Sequence, residues 1–176
     1  MNFDISLWLI PKKEQEKQIE KTINSLTIKY SVFSFIPHIT IYHFGTTSIL
    51  NDINSFIDKK LAKTHRFNLD FERIDFSDIF TKTLFAKYKI NTSLIDLYKT
   101  FHNKYKGIKD YQLTPHLSLI YKTNMNKGDK LKEAQNITLP LKITIDRLYV
   151  ITKKNGDIKI DKDVLQWKIV HKLYLK

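Results

Sequence analysis

The sequence predicts an α+β protein with largely antiparallel sheets, and three observations carry that prediction. Segments in which apolar residues alternate with polar ones outnumber segments with helical spacing. They occur in neighbouring pairs with helices between some of them, the layout of an α+β chain rather than a βαβ repeat. And "PHITI" at 37–41 returns as "PHLSL" at 115–119, with the histidines 78 residues apart, so the two halves hold a comparable set of elements.

Taken in order, "ISLWLI" (5–10) reads as a buried strand ended by Pro11. Residues 14–26 follow with Ile19, Ile23 and Leu26 at helical spacing. The first motif strand covers 38–44 and is ended by Gly45. Thr47 or Ser48 then caps a helix whose inner face is Ile49, Ile53, Phe56, Ile57 and Leu61. Phe67, Leu69 and Phe71 alternate as a half-exposed strand, and 84–90 makes another. Asn91 or Thr92 opens a helix with Leu94, Leu97, Tyr98, Phe101 and Tyr105 inward, and Gly107 suits its C-terminal cap. The second motif strand spans 116–121, and 129–135 is a short helix. Leu139 to Ile145 alternate, 148–152 continues extended, and "KNGD" (154–157) fits a tight hairpin turn. Trp167, Ile169, His171, Leu173 and Leu175 alternate to the end.

At 176 residues the chain suits one domain, 1–176, in two lobes. It lacks a basic-then-apolar leader at its start, and no apolar run reaches the ~18 residues of a membrane helix. With no cysteine, disulfides, thiolate nucleophiles and Cys-ligated zinc are excluded together. A cytoplasmic setting is expected. The net charge of +12 favours an anionic ligand, although only Arg66, Arg73 and Arg147 among the 30 basic residues carry the guanidinium fork suited to bidentate phosphate recognition.

In a strand, residues i and i+2 share a face. His38 and Thr40 therefore point one way while Ile39 and Ile41 anchor the core, and His116 with Ser118 repeats the arrangement against Leu117 and Leu119. An imidazole exchanges a proton near neutral pH, and a hydroxyl donates to an anionic oxygen. Two such pairs across a cleft supply an acid, a base and fixed donors around one phosphate, the parts that in-line phosphodiester cleavage needs without a metal. A lone strand histidine is ordinarily a half-exposed residue; the repetition after proline separates these two from that background.

His38-Ile39-Thr40-Ile41 and His116-Leu117-Ser118-Leu119 resemble the paired signatures of the two-histidine (2H) phosphoesterase superfamily, over the whole chain. "SLWLIP" and Tyr121 look most like its cyclic phosphodiesterase branch, beside the RNA 2′,3′-cyclic phosphodiesterases. The resemblance implies a bilobal, duplicated α+β fold, two largely antiparallel sheets facing a central cleft with helices outside. It implies hydrolysis of a 2′,3′-cyclic phosphate on a nucleotide or RNA end, or of ADP-ribose 1″,2″-cyclic phosphate, to a phosphomonoester. His38 would be the proton donor and His116 the base, with Thr40 and Ser118 on the phosphate oxygens. No cofactor and no metal are implied, and a monomer is expected.

Tyr121 falls on the opposite face from His116 by strict alternation, so it reaches the cleft only if its strand bends. Tyr42 shares a face with His38 and Thr40 and could stack on a base; Trp8 could line the cleft but reads first as core. His43, five positions from His38, faces away by the same count, and His65 and His102 read as bystanders; His171 shares a face with Trp167, Ile169 and Leu173 and reads as a core histidine before a catalytic one. No G-x-x-x-x-G-K-[ST], G-x-G-x-x-G or H-E-x-x-H is present, which disfavours ATP-dependent chemistry and zinc hydrolysis. Two other readings compete: cleavage of 2′,5′-linked or cyclic oligonucleotide signals, and a basic module that binds single-stranded RNA without turnover.

Overall fold

The computed structural model describes residues 2–153 and 160–176. The elements run β1 (Phe3–Pro11), α1 (Lys13–Tyr30), β2 (Ile39–Thr47), α2 (Leu50–Leu61), β3 (Phe67–Phe76), β4 (Leu84–Tyr88), α3 (Thr92–Tyr105), β5 (His116–Ile120), α4 (Lys127–Asn136), β6 (Lys142–Lys153) and β7 (Lys168–Tyr174). Local chemistry sets several of these ends. The Asn91 side chain accepts from Leu94 N and the Asn126 side chain from Asp129 N, so α3 and α4 start on satisfied donors. α1 stops where Ser31 turns left-handed at φ 54°.

All strand pairings are antiparallel, in the order β1-β2-β5-β4-β3-β6-β7, and a further β1–β6 pairing closes a ring. The α+β class is as the sequence indicates. The two sheets it suggests are joined into one hydrogen-bonded surface at two places. β6 is the first joint: β3 pairs with Lys142 to Ile145, β7 with Arg147 to Thr152, and β1 runs along the opposite edge. The second joint is the single pair Ile39↔Leu117 between β2 and β5.

The main core fills the space between this surface and the helices. Ile39, Ile41, Leu117 and Leu119 are fully buried in it beside Ile19, Ile23, Leu94 and Phe101. Each such side chain contributes about 1.5–3 kcal/mol by leaving water. The packing crosses between halves: α1, which follows β1, lies against β5, and α3, which precedes β5, lies against β2. Each motif strand is thus held from behind by the other half's helix. On the other face, Trp8, Ile10, Tyr149 and Ile151 form a small separate cluster with Trp167 packed on it.

Several local expectations shift. β2 does not end at Gly45 but runs to Thr47, with Gly45 at φ 64° accommodating the bend. Thr47 and Ser48 do not cap α2; its N-cap is Ile49, without a side-chain cap. Gly107 is not left-handed, because α3 continues through Lys106 in helical conformation. The two extended runs before the hairpin are one strand, β6. The "KNGD" turn lies outside the described residues. No described helix is long and apolar enough to cross a membrane.

Candidate active site

The two motifs are built alike from the backbone upward. His38 Nδ1 lies 2.7 Å from the Ile36 carbonyl, and His116 Nδ1 lies 2.7 Å from the Thr114 carbonyl. A carbonyl only accepts, so each ring carries its proton on Nδ1 and leaves the Nε2 lone pair for the cleft. The intervening Pro37 and Pro115 fix φ, which holds the carbonyl two residues back beneath each imidazole. Because Ile39 and Leu117 pair antiparallel, the local ladder sets His38 toward Ser118 and Thr40 toward His116, with a pseudo-twofold axis between them.

Both motif strands then carry a bulge at the equivalent residue. Leu7 pairs with Tyr42 and Trp8 with Thr40, which leaves Ile41 as an extra residue. Leu84 pairs with Ile120 and Phe85 with Ser118, which leaves Leu119 extra. Each bulge inverts the alternation beyond it. Tyr121 is thereby brought to the cleft, stacked on Phe35 at 4.2 Å between ring centroids. Tyr42 is turned the other way: it is fully buried and its hydroxyl donates to the Lys109 carbonyl at 2.6 Å, so it offers no surface for a base. His43 takes the cleft position that parity had assigned to Tyr42.

One cleft of about 400 Å³ gathers His38, Thr40, His116, Ser118 and Tyr121. Trp8 lies parallel to His38 with centroids 3.5 Å apart, and Trp167 stands edge-on to both rings. At the equivalent place in the other half, Phe85 meets His116 edge-on at 5.5 Å. Ser118 Oγ donates to the Thr81 carbonyl at 2.7 Å, so its hydroxyl must rotate before it can serve a phosphate oxygen.

A model of the 2′-5′ RNA ligase superfamily matches residues 15–157, a span that includes both motifs. The chain belongs to this superfamily. It is accordingly a phosphoesterase of the two-histidine class. Among solved structures, TT0787 of Thermus thermophilus superposes with a TM-score of 0.66 at 10% identity, covering 98% of this chain and 97% of that one. E. coli LigT in its apo form gives 0.60 at 11% identity, with 99% and 98% covered. LigT complexed with 3′-AMP gives 0.59 at 11%, with 98% of each chain covered. At such identity these likenesses establish a shared fold. No curated protein matches the sequence.

Within this superfamily fold, burial dominates the site's electrostatics. It pushes the His38 imidazole down to about 3, opposed by the Ile36 carbonyl and aided slightly by His116 across the cleft. His116 is also lowered, first by burial, against the Thr114 carbonyl, and further by the Lys82 ammonium. Lys82, itself lowered by burial, lines the cleft and donates to Thr114 Oγ1 at 3.2 Å. Burial raises the Tyr121 phenol, partly offset by the Ser118 hydroxyl.

Sequence reasoning missed Lys82 and Thr81, which precede β4 and carry no motif of their own. It placed Trp8 in the core, where it is 3% exposed and yet forms the seat of His38. His102 and His171 stay away from the cleft, bonded to Tyr98 Oη and to Asp58 respectively. Among the described residues no group of three or more His, Asp or Glu side chains gathers to hold a metal.

Proposed function

We infer that the protein is a metal-independent phosphodiesterase that opens a 2′,3′-cyclic phosphate on a nucleotide or RNA end, or the related ADP-ribose 1″,2″-cyclic phosphate, using its imidazoles as acid and base. One observation carries the reading: two identically fixed tautomers, each with Nε2 toward the same cleft, flanked by a threonine and a serine. His116 Nε2 takes a proton from water as the water oxygen bonds to phosphorus. The phosphorus bond to one ribose oxygen breaks, and His38, protonated at Nε2 as well as Nδ1 once the anionic substrate is bound, delivers the Nε2 proton to that oxygen, leaving a phosphomonoester. Thr40, Ser118 and Lys82 hold the phosphoryl oxygens, and Tyr121 positions the Ser118 hydroxyl.

The division of labour follows the surroundings. Lys82 disfavours a cation on His116, which suits a base. The indole face under His38 favours a cation there once substrate brings its negative charge. A groove of about 600 Å³ adjoins the cleft at Lys82, Thr114 and His116 and adds Lys87 and Lys89, which gives an RNA chain a cationic path away from the reacting end. The fold neighbour LigT has been solved with 3′-AMP, with ATP and with phosphate.

The test is a screen of 2′,3′-cyclic nucleotides, short RNAs ending in a cyclic phosphate, ADP-ribose cyclic phosphate and 2′,5′-linked or cyclic oligonucleotides, run in excess chelator with products identified by mass and phosphorus NMR. Conversion of a cyclic phosphate to a monoester under chelator is expected. Turnover that requires added metal, or RNA binding with no turnover in any arm, would overturn the reading.

A further inference from the structure

Beyond the histidines the cleft continues along β1 to a polar cluster that the reaction leaves unused. On its cleft face β1 presents Trp8, Ser6 and Asp4, every second residue, so Asp4 lies about 13 Å along the strand from the seat of His38. That distance is the scale of one nucleoside measured from its phosphate. His43 joins the cluster because of the bulge at Ile41. Its Nδ1 is 2.9 Å from Ser6 Oγ, and its Nε2 is 3.5 Å from Asp4 Oδ1. That carboxylate oxygen is buried and accepts no hydrogen bond. Tyr111, edge-on to His43 at 6.5 Å, and Ile151 add apolar walls, and Lys153 lies opposite Asp4 in the β1–β6 register.

A buried carboxylate oxygen that accepts no hydrogen bond costs free energy that a ligand's N–H recovers on binding. The geometry points to Asp4, with Ser6 and His43, as a subsite that selects a nucleobase presenting adjacent N–H donors, which is guanine. The assignment rests on the phosphodiesterase reading for what enters the cleft. Guanine offers N1–H and the 2-amino group side by side, and a carboxylate is an acceptor only. Uracil sets its single N–H between two carbonyl oxygens, which the Asp4 carboxylate repels. Adenine and cytosine each place one amino donor next to a ring acceptor and fall between.

The experiment compares kcat/KM for the guanosine, adenosine, cytidine and uridine 2′,3′-cyclic monophosphates, together with calorimetric binding of 3′-GMP and 3′-UMP. Wild type should favour guanosine over uridine by about tenfold or more, the range of one bidentate base contact. In Asp4→Asn that preference should collapse through a loss on guanosine, with uridine unchanged or improved, since the carboxylate that repels its carbonyl oxygens is gone and the amide can donate to them. Ser6→Ala should erode the preference part-way and covers the case in which Asp4→Asn does not fold. Equal rates on all four substrates in the wild type, or a uniform loss in both variants, would overturn the subsite while leaving the phosphodiesterase standing. Asp4-dependent binding of 3′-GMP without hydrolysis of any cyclic phosphate would uphold the subsite and sink the reaction. Absence of both turnover and 3′-GMP preference would remove the subsite as well.

Discussion

The His38 and His116 sites share one plan and differ in what surrounds it. Each imidazole follows a proline, donates Nδ1–H to the carbonyl two residues back, and precedes a hydroxyl and then a bulge. Trp8 and Phe85 occupy equivalent register positions, opposite Thr40 and Ser118. Yet Trp8 stacks flat on its histidine while Phe85 meets its own with an edge. A ring face attracts a cation and a ring edge does not. Lys82 adds a positive charge beside His116 alone. A duplicated scaffold thus gives matched geometry, and the proposed division into acid and base rests on the different neighbours of each copy.

The largest effect should come from removing either imidazole. His38→Ala and His116→Ala should each lower kcat by about 10²–10⁴ on a natural cyclic phosphate. A nitrophenyl phosphodiester sharpens the comparison, because nitrophenolate departs without needing a proton. His38→Ala should recover most of its rate on that substrate, and His116→Ala should not. Recovery in His116→Ala would reverse the roles.

Next in size is stability. Trp8→Ala should cost about 3–5 kcal/mol and Phe85→Ala should fall at or below the low end of that range, read from urea unfolding. Trp8 packs against His38, Trp167 and the small cluster around Tyr149, whereas Phe85 sits at the border of its groove. Equal losses would show that the flat stack adds nothing to the His38 side.

What the sequence could and could not reveal follows from the range of the interactions involved. Proline, histidine, alternation and hydroxyl are local, so the four central residues and the α+β class were legible. The bulges at Ile41 and Leu119 were not, because an extra residue exists only relative to a partner strand. Parity therefore put Tyr42 in the cleft and His43 outside it, and the structure exchanges them. For the same reason Tyr121 needed a bend that its own strand does not announce. Asp4 and Ser6 reach the site through cross-strand register with the first motif strand, and Lys82 through the short 3-10 turn before β4, neither of which the motif segments encode.

A smaller effect concerns Lys82. Lys82→Met removes the ammonium that disfavours the His116 cation, so the His116 value rises and the base form needs a higher pH. The acid limb of the kcat profile, which reports the substrate-bound enzyme in which His38 is the cation, should move upward, with a loss of about tenfold at the optimum, the scale of one charged hydrogen bond to phosphate. An unmoved acid limb would separate Lys82 from the base and leave it as a phosphate contact only.

The smallest expected effect reads the comparison in the folded protein without substrate. His38 is pushed from 6.5 to about 3, so between those values the unfolded chain binds a proton that the native state refuses. Stability then rises with pH across that window and falls as acid is added, by at most about 1.4 kcal/mol per pH unit for one such group. His116 acts in the same direction, but its ring is less deeply enclosed and it lacks the stacked indole. Urea midpoints measured in the upper part of the window, above the range where carboxylates titrate, should therefore lose more of their slope in His38→Gln than in His116→Gln. A greater flattening in His116→Gln would place the more strongly neutralised imidazole on the Lys82 side, and the indole face could no longer be what distinguishes the acid.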